Sequence, residues 1–319
     1  MCHYLELNSF SINNVEELSQ IEIENILLQV PPYCAVSFSG GEPLVRKDIM
    51  NILSQSSAKF KTHIITNGTM IDVEKARKLV GIGCRNTMSK GLLLVGVSVE
   101  GPEEVHDAIT GIKGSFGKTV EGLERLLEQR REAGKKFPLV SLQMVITAKN
   151  AAYIDWVFSL GERMGVDICN YMVQNNAPDI LSLHRMSPSA ILSKHLEVDG
   201  VDVGSLSKKL SLLEERKGRS TVQLRFSPFE ITPAEVLRYY SRESEIGHYE
   251  CRSPWSRFVI DPFGDLWICP FVSVGNLRTR SLMGLWNSKE ARKFRADLKK
   301  NRIFPGCAGC CSSIYVGKG

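Results

Sequence analysis

The stretch CAVSFSGGEPL, residues 34–44, begins as a β-strand and ends as a turn open to a ligand. Ala35, Val36 and Phe38 give an apolar run. Gly40 and Gly41 then remove the side chains that would keep a bound molecule off the backbone, and Pro43 blocks continuation of the strand. Glu42 adds an acceptor for an ammonium group. A glycine pair alone is an ordinary strand-to-helix turn, so its meaning depends on its surroundings. Those surroundings repeat the pattern. KTHIITNG (61–68), LLLVGVSVEG (92–101), LVSLQMVIT (139–147) and DICNYMV (167–173) are short runs, apolar on both faces, as parallel strands covered by helices are. The second run closes on ITNGT (65–69). The third closes on VSVEGPEEVHDAITGIKGSF (97–116), where Ser98 and Glu100 share one side because side chains two apart share a face.

Amphipathic stretches separate the strands: VEELSQIEIENILLQV, KDIMNILSQSS, VEKARKLVG, GKTVEGLERLLEQRREAG and AAYIDWVFSLGERMG. In the fourth, Val120, Leu123 and Leu127 share a face and Gly134 supplies the stop. Strand–helix alternation of this length means a βα-barrel or a doubly wound sheet. In a barrel, catalytic loops lie at the C-terminal ends of the strands, where three successive turns here carry glycine and polar groups. A helix comes first, so a preceding strand is expected to be missing.

With 319 residues, 43% of them hydrophobic, the chain can bury a large core. Its net charge of +5 is too mild to argue for nucleic acid or an acidic membrane surface, and the run EARKFRADLKKNR (290–302) reads as a solvated face. No stretch reaches the ~18 apolar residues of a membrane span, and no basic-then-apolar signal opens the chain. The expectation is a soluble, cytoplasmic protein. Its expected parts are a strand–helix domain at 1–185, a connector at 186–250 and a small Gly-, Pro- and Cys-rich domain at 251–319.

Five of the nine cysteines lie in that last part. In a large chain without secretion signals, clustered Cys points to metal before disulfides. Cys251 and Cys269 flank a predicted hairpin, FVIDPFGDLWI, with Gly264 in its turn. Cys307-Ala-Gly-Cys310-Cys311 follows a helix with a chelating C-x-x-C spacing. The same four thiolates could hold zinc or an iron–sulfur cluster.

SGGEP, TNGT, S-V-E-G-P followed by H-D and K-G-S-F, and VITAKN (145–150) together resemble the radical S-adenosylmethionine (radical SAM) superfamily, in its members with a C-terminal Twitch or SPASM extension. The resemblance implies a partial (β/α)6 barrel lacking its first strand, plus a small auxiliary-cluster domain. It implies S-adenosylmethionine and a catalytic [4Fe–4S] cluster held by C-x-x-x-C-x-x-C. Met1-Cys2-His3-Tyr4 fits the end of that motif, so Cys2 is expected to be the last of three ligands. The other two would then lie upstream, and this chain as written would be inactive and N-terminally truncated. By the same resemblance Gly40, Gly41, Glu42 and Pro43 would receive the methionine ammonium, Ser98 the ribose or carboxylate end and Met172 the adenine. Many relatives place an Arg where Thr110 stands, which leaves carboxylate recognition without that charge.

One auxiliary [4Fe–4S] cluster is implied at Cys251, Cys269, Cys307 and Cys310, with Cys311 able to replace Cys310. The implied activity is formation of a 5′-deoxyadenosyl radical that takes hydrogen from a peptide or a small polar metabolite. An electron donor such as flavodoxin or ferredoxin would serve it. Sulfatase-maturing relatives carry Asp after the Cys equivalent to Cys269; Pro270 stands there, which argues against that assignment. The reading from a different class is a non-catalytic barrel that binds a peptide, with a structural zinc or iron–sulfur site. Cys34, Cys84 and Cys169, the remaining histidines, and Trp255, Trp267 and Trp286 read as packing or surface residues, with His106 supporting the loop after the third strand.

Overall fold

The computed structural model describes residues 16–174 and 200–317. They fall into two compact units. One contains 31–172 and 200–225; the other contains 16–30, 173–174 and 226–317.

The first unit is built on a six-stranded sheet whose strands are ordered as in the chain: β1 (Ala35–Phe38), β2 (Lys61–Thr66), β3 (Gly91–Ser98), β4 (Leu139–Ile146), β5 (Ile168–Val173) and β6 (Gln223–Ser227). β1 through β4 pair in parallel. Sequential parallel order requires a crossover between each pair, and helices supply it. These are α2 (Ile49–Lys59), α3 (Val73–Gly81), α4 (Glu103–Thr110), α5 (Ser115–Glu132), α6 (Ile154–Met164) and α7 (Val203–Lys217). Ile64, Val95, Val97, Leu142 and Ile146 on the strands are almost fully buried, as are Leu79, Leu123, Leu126 and Phe158 on the helices. This is the apolar layer the two-faced strands call for.

The closest approach in that layer is backbone on backbone. A Cβ on Gly122 of α5 would stand 2.1 Å from the carbonyl oxygen of Gly68, so only glycine lets α5 rest on the turn after β2. Thr119 on the same helix donates to Asn67 O at 2.8 Å. The helix thus holds a strand-end loop from behind.

The second unit, the tail, consists of small elements. β8 (Val259–Ile260), β9 (Asp265–Cys269) and β10 (Val272–Asn276) form an antiparallel sheet, with Gly264 at φ 95° in the β8–β9 turn. Asp261 shapes that turn: its carboxylate accepts from Phe263 N, Asp265 N and Trp267 Nε1 at 2.9, 3.0 and 3.1 Å. β7 (Tyr249–Cys251) pairs with β11 (Ser313–Tyr315).

Helix α1 (Gln20–Gln29), which the sequence reading put with the barrel, groups with the tail. Its Glu22 caps its own N-terminus and grips Arg278 at 2.6 Å, and Gln29 accepts from Leu282 N at 2.9 Å. Residues 200–225, read as connector, group with the sheet. The tail also contains α8 (Pro233–Tyr240), α9 (Ser253–Ser256), α10 (Leu282–Trp286) and α11 (Lys289–Asn301). The last two lie almost end to end in the chain, with only Asn287 and Ser288 between them. Ser288 ends that continuity by capping α11, accepting from Ala291 N at 3.1 Å.

Among the described residues no helix is long and apolar enough to cross a membrane.

Candidate functional site

The Gly-Gly-Glu-Pro turn follows β1, with Ser39, Gly40 and Gly41 exposed and Gly40 at φ 136°. A side chain would be strained there, so glycine leaves the backbone open. Glu42, expected to wait for an ammonium, already has three partners. One carboxylate oxygen accepts from Leu44 N (3.0 Å) and Thr66 Oγ1 (2.7 Å), the other from Asn67 N (2.6 Å). Glu42 therefore clasps the turn after β1 to the Thr-Asn-Gly turn after β2. Asn67 in turn receives Thr69 N and Thr69 Oγ1 at 2.9 and 2.8 Å. Pro43 opens a short 3-10 turn, Pro43–Val45.

The turn after β3 is held with equal care. Asp107 accepts from Gly114 N, Ser115 Oγ and Phe116 N, which explains why His-Asp is followed by Gly-Ser-Phe. Three N–H and O–H donors hold its carboxyl below the usual range. Thr110, lacking the charge an Arg would bring, bonds Ser115 Oγ at 2.8 Å. His106 Nδ1 accepts from Glu100 N at 3.2 Å, the loop-supporting role expected of it. One Glu100 oxygen accepts weakly, from Val145 N at 3.3 Å and Asn150 Nδ2 at 3.2 Å. Burial pushes the Glu100 carboxyl up to about 7, with those two bonds opposing.

Ser98 is half-buried at the end of β3 and pairs with Gln143 on β4. One step below it, a Cβ on Gly96 would meet Ile65 Cδ1 at 2.6 Å and Gln143 Cγ at 3.2 Å. Gln143 is held by Ser141 Oγ (2.8 Å) and by Asn170 Nδ2 (2.7 Å). On β5, Tyr171 points the other way and donates to Ile154 O at 2.7 Å, so Asn170 and Met172 share the Ser98 side. The first unit therefore gathers Ser98, Gln143, Asn170 and Met172 on one sheet face, closed at one level by the Ile65–Gly96 contact. Cys2 lies outside the described residues.

Sequence reasoning named Glu42 but missed its partners Thr66 and Asn67, and missed Gln143, Asn150 and Asn170. Asn67 and Asn150 stood inside quoted motifs; the pairings that give them a role span tens of residues.

In the tail, short elements bring the thiols together. Cys251 ends β7 and pairs with Ser313, whose N and Oγ both donate to Cys310 O, at 3.0 and 2.8 Å. Cys310 N donates to Cys307 O at 3.0 Å. Cys269 ends β9 and is pushed up to about 12 by burial, with Cys307 and Cys251 adding to the shift. Burial, then Cys251, pushes Cys307 up to about 11. Cys310 also rises, through its bond with Cys311 and then burial; Cys311 is exposed. Among the described residues, no three His, Cys, Asp or Glu side chains converge on a single-ion site.

Comparison with known proteins matches each of these two arrangements to a family. The radical SAM superfamily profile matches residues 2–146, and the SPASM iron–sulfur cluster-binding domain matches 251–311. The chain belongs to the radical SAM superfamily and carries a SPASM domain at its tail. The Fe-coproporphyrin III synthase of Methanosarcina barkeri is 35% identical over 43% of this chain and 31% of its own length. The AdoMet-dependent heme synthase of the same organism is 24% identical over 88% and 78%, and the mycofactocin maturase MftC of Mycobacterium ulcerans 27% over 96% and 74%.

Streptococcus suis SuiB bound to S-adenosylmethionine shares the fold at TM-score 0.59 and 17% identity, covering 86% of this chain and 60% of that one. The chain thus spans under a third of the first of these relatives and three-fifths of SuiB. The two domains imply S-adenosylmethionine with a [4Fe–4S] cluster, and auxiliary iron–sulfur in the tail.

Proposed function

We propose that this chain belongs to a radical enzyme that takes a hydrogen atom from a peptide or a small polar metabolite. The observation that carries the reading is the Glu42 clasp, which fixes two glycine-bearing strand-end turns beside each other. Bound S-adenosylmethionine and a reduced [4Fe–4S] cluster would supply an electron and a 5′-deoxyadenosyl radical.

The protein's own task is placement. Gly40 and Gly41 leave main-chain groups free for the methionine ammonium, with Glu42 lending negative charge from its clasped position. Ser98 offers a hydroxyl to the ribose or carboxylate end, and Met172 an apolar surface to the adenine. Gln143 and Asn170, hydrogen-bonded to each other, form a polar wall beside Ser98, which favours a fixed distance between substrate carbon and radical. Cys2 is the thiolate this chain would contribute to the catalytic cluster.

In the tail, Cys251, Cys269, Cys307 and Cys310 are the proposed ligands of one auxiliary cluster, with Cys311 as the substitute for Cys310. The match of residues 251–311 to an iron–sulfur cluster-binding domain supports a cluster over zinc at these cysteines. A peptide substrate gains support from MftC and from SuiB, which was solved with its precursor peptide SuiA.

The test is anaerobic reconstitution with iron and sulfide, then S-adenosylmethionine and dithionite. Formation of 5′-deoxyadenosine, lost in Cys2→Ala, supports the enzyme. Its absence from the full gene product, with stoichiometric zinc in the tail, overturns it.

A further inference from the structure

One segment holds the chain's entire excess charge. Residues 289–302, KEARKFRADLKKNR, contain seven of the 40 Lys and Arg but two of the 35 Asp and Glu, which leaves 33 of each elsewhere. The remainder is neutral; α11 and the residue after it are not.

The structure shows how these charges are displayed. Ala291, Phe294 and Leu298 bury one side of α11, while Lys289, Arg292, Lys293, Lys299, Lys300 and Arg302 are exposed. Among the described residues none of these six forms an ion pair with a carboxylate. Asp297 and Glu290 are the acids on the helix, and Glu290 is engaged by its own cap and by the charges of Arg280 and Lys289. Helix stability accounts for part of the pattern, since Lys299 and Lys300 in the last turn favour the helix dipole. It does not account for Lys289 and Arg292 in the first turn, where that dipole disfavours a cation.

The helix is also tied to both thiol-bearing segments. The Arg295 guanidinium lies 4.2 Å over the Trp286 ring. It donates to Pro254 O, three residues after Cys251, and to Trp286 O, both at 2.7 Å. The end of α11 leads directly into the Pro305–Cys307 turn. The basic face therefore belongs to the frame that carries Cys251, Cys307 and Cys310.

We propose that the exposed face of α11 is a docking surface for an acidic, low-potential electron-carrier protein that delivers electrons by way of the tail. The proposal rests on the radical-enzyme reading, which needs a one-electron donor. Opposite surface charge speeds encounter and selects partners, and it does so through exposed, salt-sensitive cations not held in ion pairs, like these.

The experiment compares two reductants on the reconstituted full-length protein: reduced flavodoxin as the carrier and dithionite as a small donor needing no docking surface. The variant is Lys293→Glu/Lys299→Glu/Lys300→Glu, with the matching Gln triple to separate charge loss from charge reversal. Far-UV circular dichroism and iron content show that both fold. With limiting flavodoxin, the rate of 5′-deoxyadenosine formation should fall ~10-fold or more in the Glu triple and less in the Gln triple, while the dithionite rate is unchanged. The wild-type flavodoxin rate should fall as NaCl rises from about 50 to about 300 mM, and the Glu triple should lose that dependence.

Equal rates with flavodoxin, or an equal fall with both donors, would overturn the proposal. So would binding of a DNA duplex through these lysines that flavodoxin does not displace. If dithionite itself yields no product, the enzymatic reading fails, and calorimetric titration of the protein with flavodoxin still decides the docking surface.

Discussion

The sheet unit and the tail solve the same problem, holding reactive groups in place, by opposite means. In the sheet unit the turns are fixed by main-chain and side-chain hydrogen bonds over a continuous apolar core: Glu42 on Thr66 and Asn67, Asp107 on Gly114 to Phe116, Gly122 on Gly68. In the tail the proposed ligands Cys251 and Cys269 end strands of three and five residues, Cys307 ends a 3-10 turn, and burial holds the Cys269 and Cys307 thiols well above the ordinary range. One site is held by the chain's own hydrogen bonds and packing. The proposed cluster would supply part of what holds the other together.

Metal removal is the strongest way to break this contrast. Chelating iron from the reconstituted protein, or Cys269→Ser, should release the tail to fast amide exchange while Ile64, Val95 and Leu142 stay protected; equal loss in both units would show that they share one source of stability. Next in size is Gly122→Ala. The new methyl would meet a main-chain oxygen, and a loss of about 2–4 kcal/mol in urea unfolding is expected, against little change or slight stabilisation for Gly117→Ala, which meets nothing within 4 Å.

A smaller effect concerns Glu100, whose folded-state carboxyl rises to about 7 from the ordinary 4.5. A group raised on folding contributes stability that is complete below the unfolded value and is lost as pH climbs through the folded one. The wild type should therefore lose stability between pH 4.5 and about 7 relative to Glu100→Gln, and parallel urea midpoints for the two proteins across that range would refute it. The smallest concerns Glu22, held at about 2 by Arg278 and by its cap. Its stabilisation is present above about 4.5 and fades as pH falls toward 2, so Glu22→Gln at pH 7 should lower Tm by only about 1–2 °C, and less in high salt.

The sequence made the sheet legible wherever strands were apolar on both faces. Five of the six strands were found, four of them within two residues of their expected bounds and β3 ending three residues short, because apolar, β-branched runs of this length are distinctive. β6 was missed for the converse reason: Gln223, Leu224 and Arg225 alternate polar and apolar on an edge, inside a stretch of turn-like composition. α8 was missed although Thr232 and Pro233 spell a helix start; Thr232 indeed caps it, accepting from Glu235 N at 3.2 Å. At the site, residue types were readable and partners were not. Nothing local to Glu42 says that Thr66 and Asn67 arrive beside it, since that pairing depends on parallel register between β1 and β2.

The docking of α1 has a practical meaning for anyone who would dissect this molecule. Because Gln20–Gln29 packs with Arg278 and Leu282, the tail's elements bracket the sheet along the polypeptide. Cutting the gene after Arg225 would yield neither half intact: the amino-terminal piece would keep an orphan helix, and the carboxyl-terminal piece would lack one of its walls. Separate production calls for a circular permutant that fuses α1 behind residue 317.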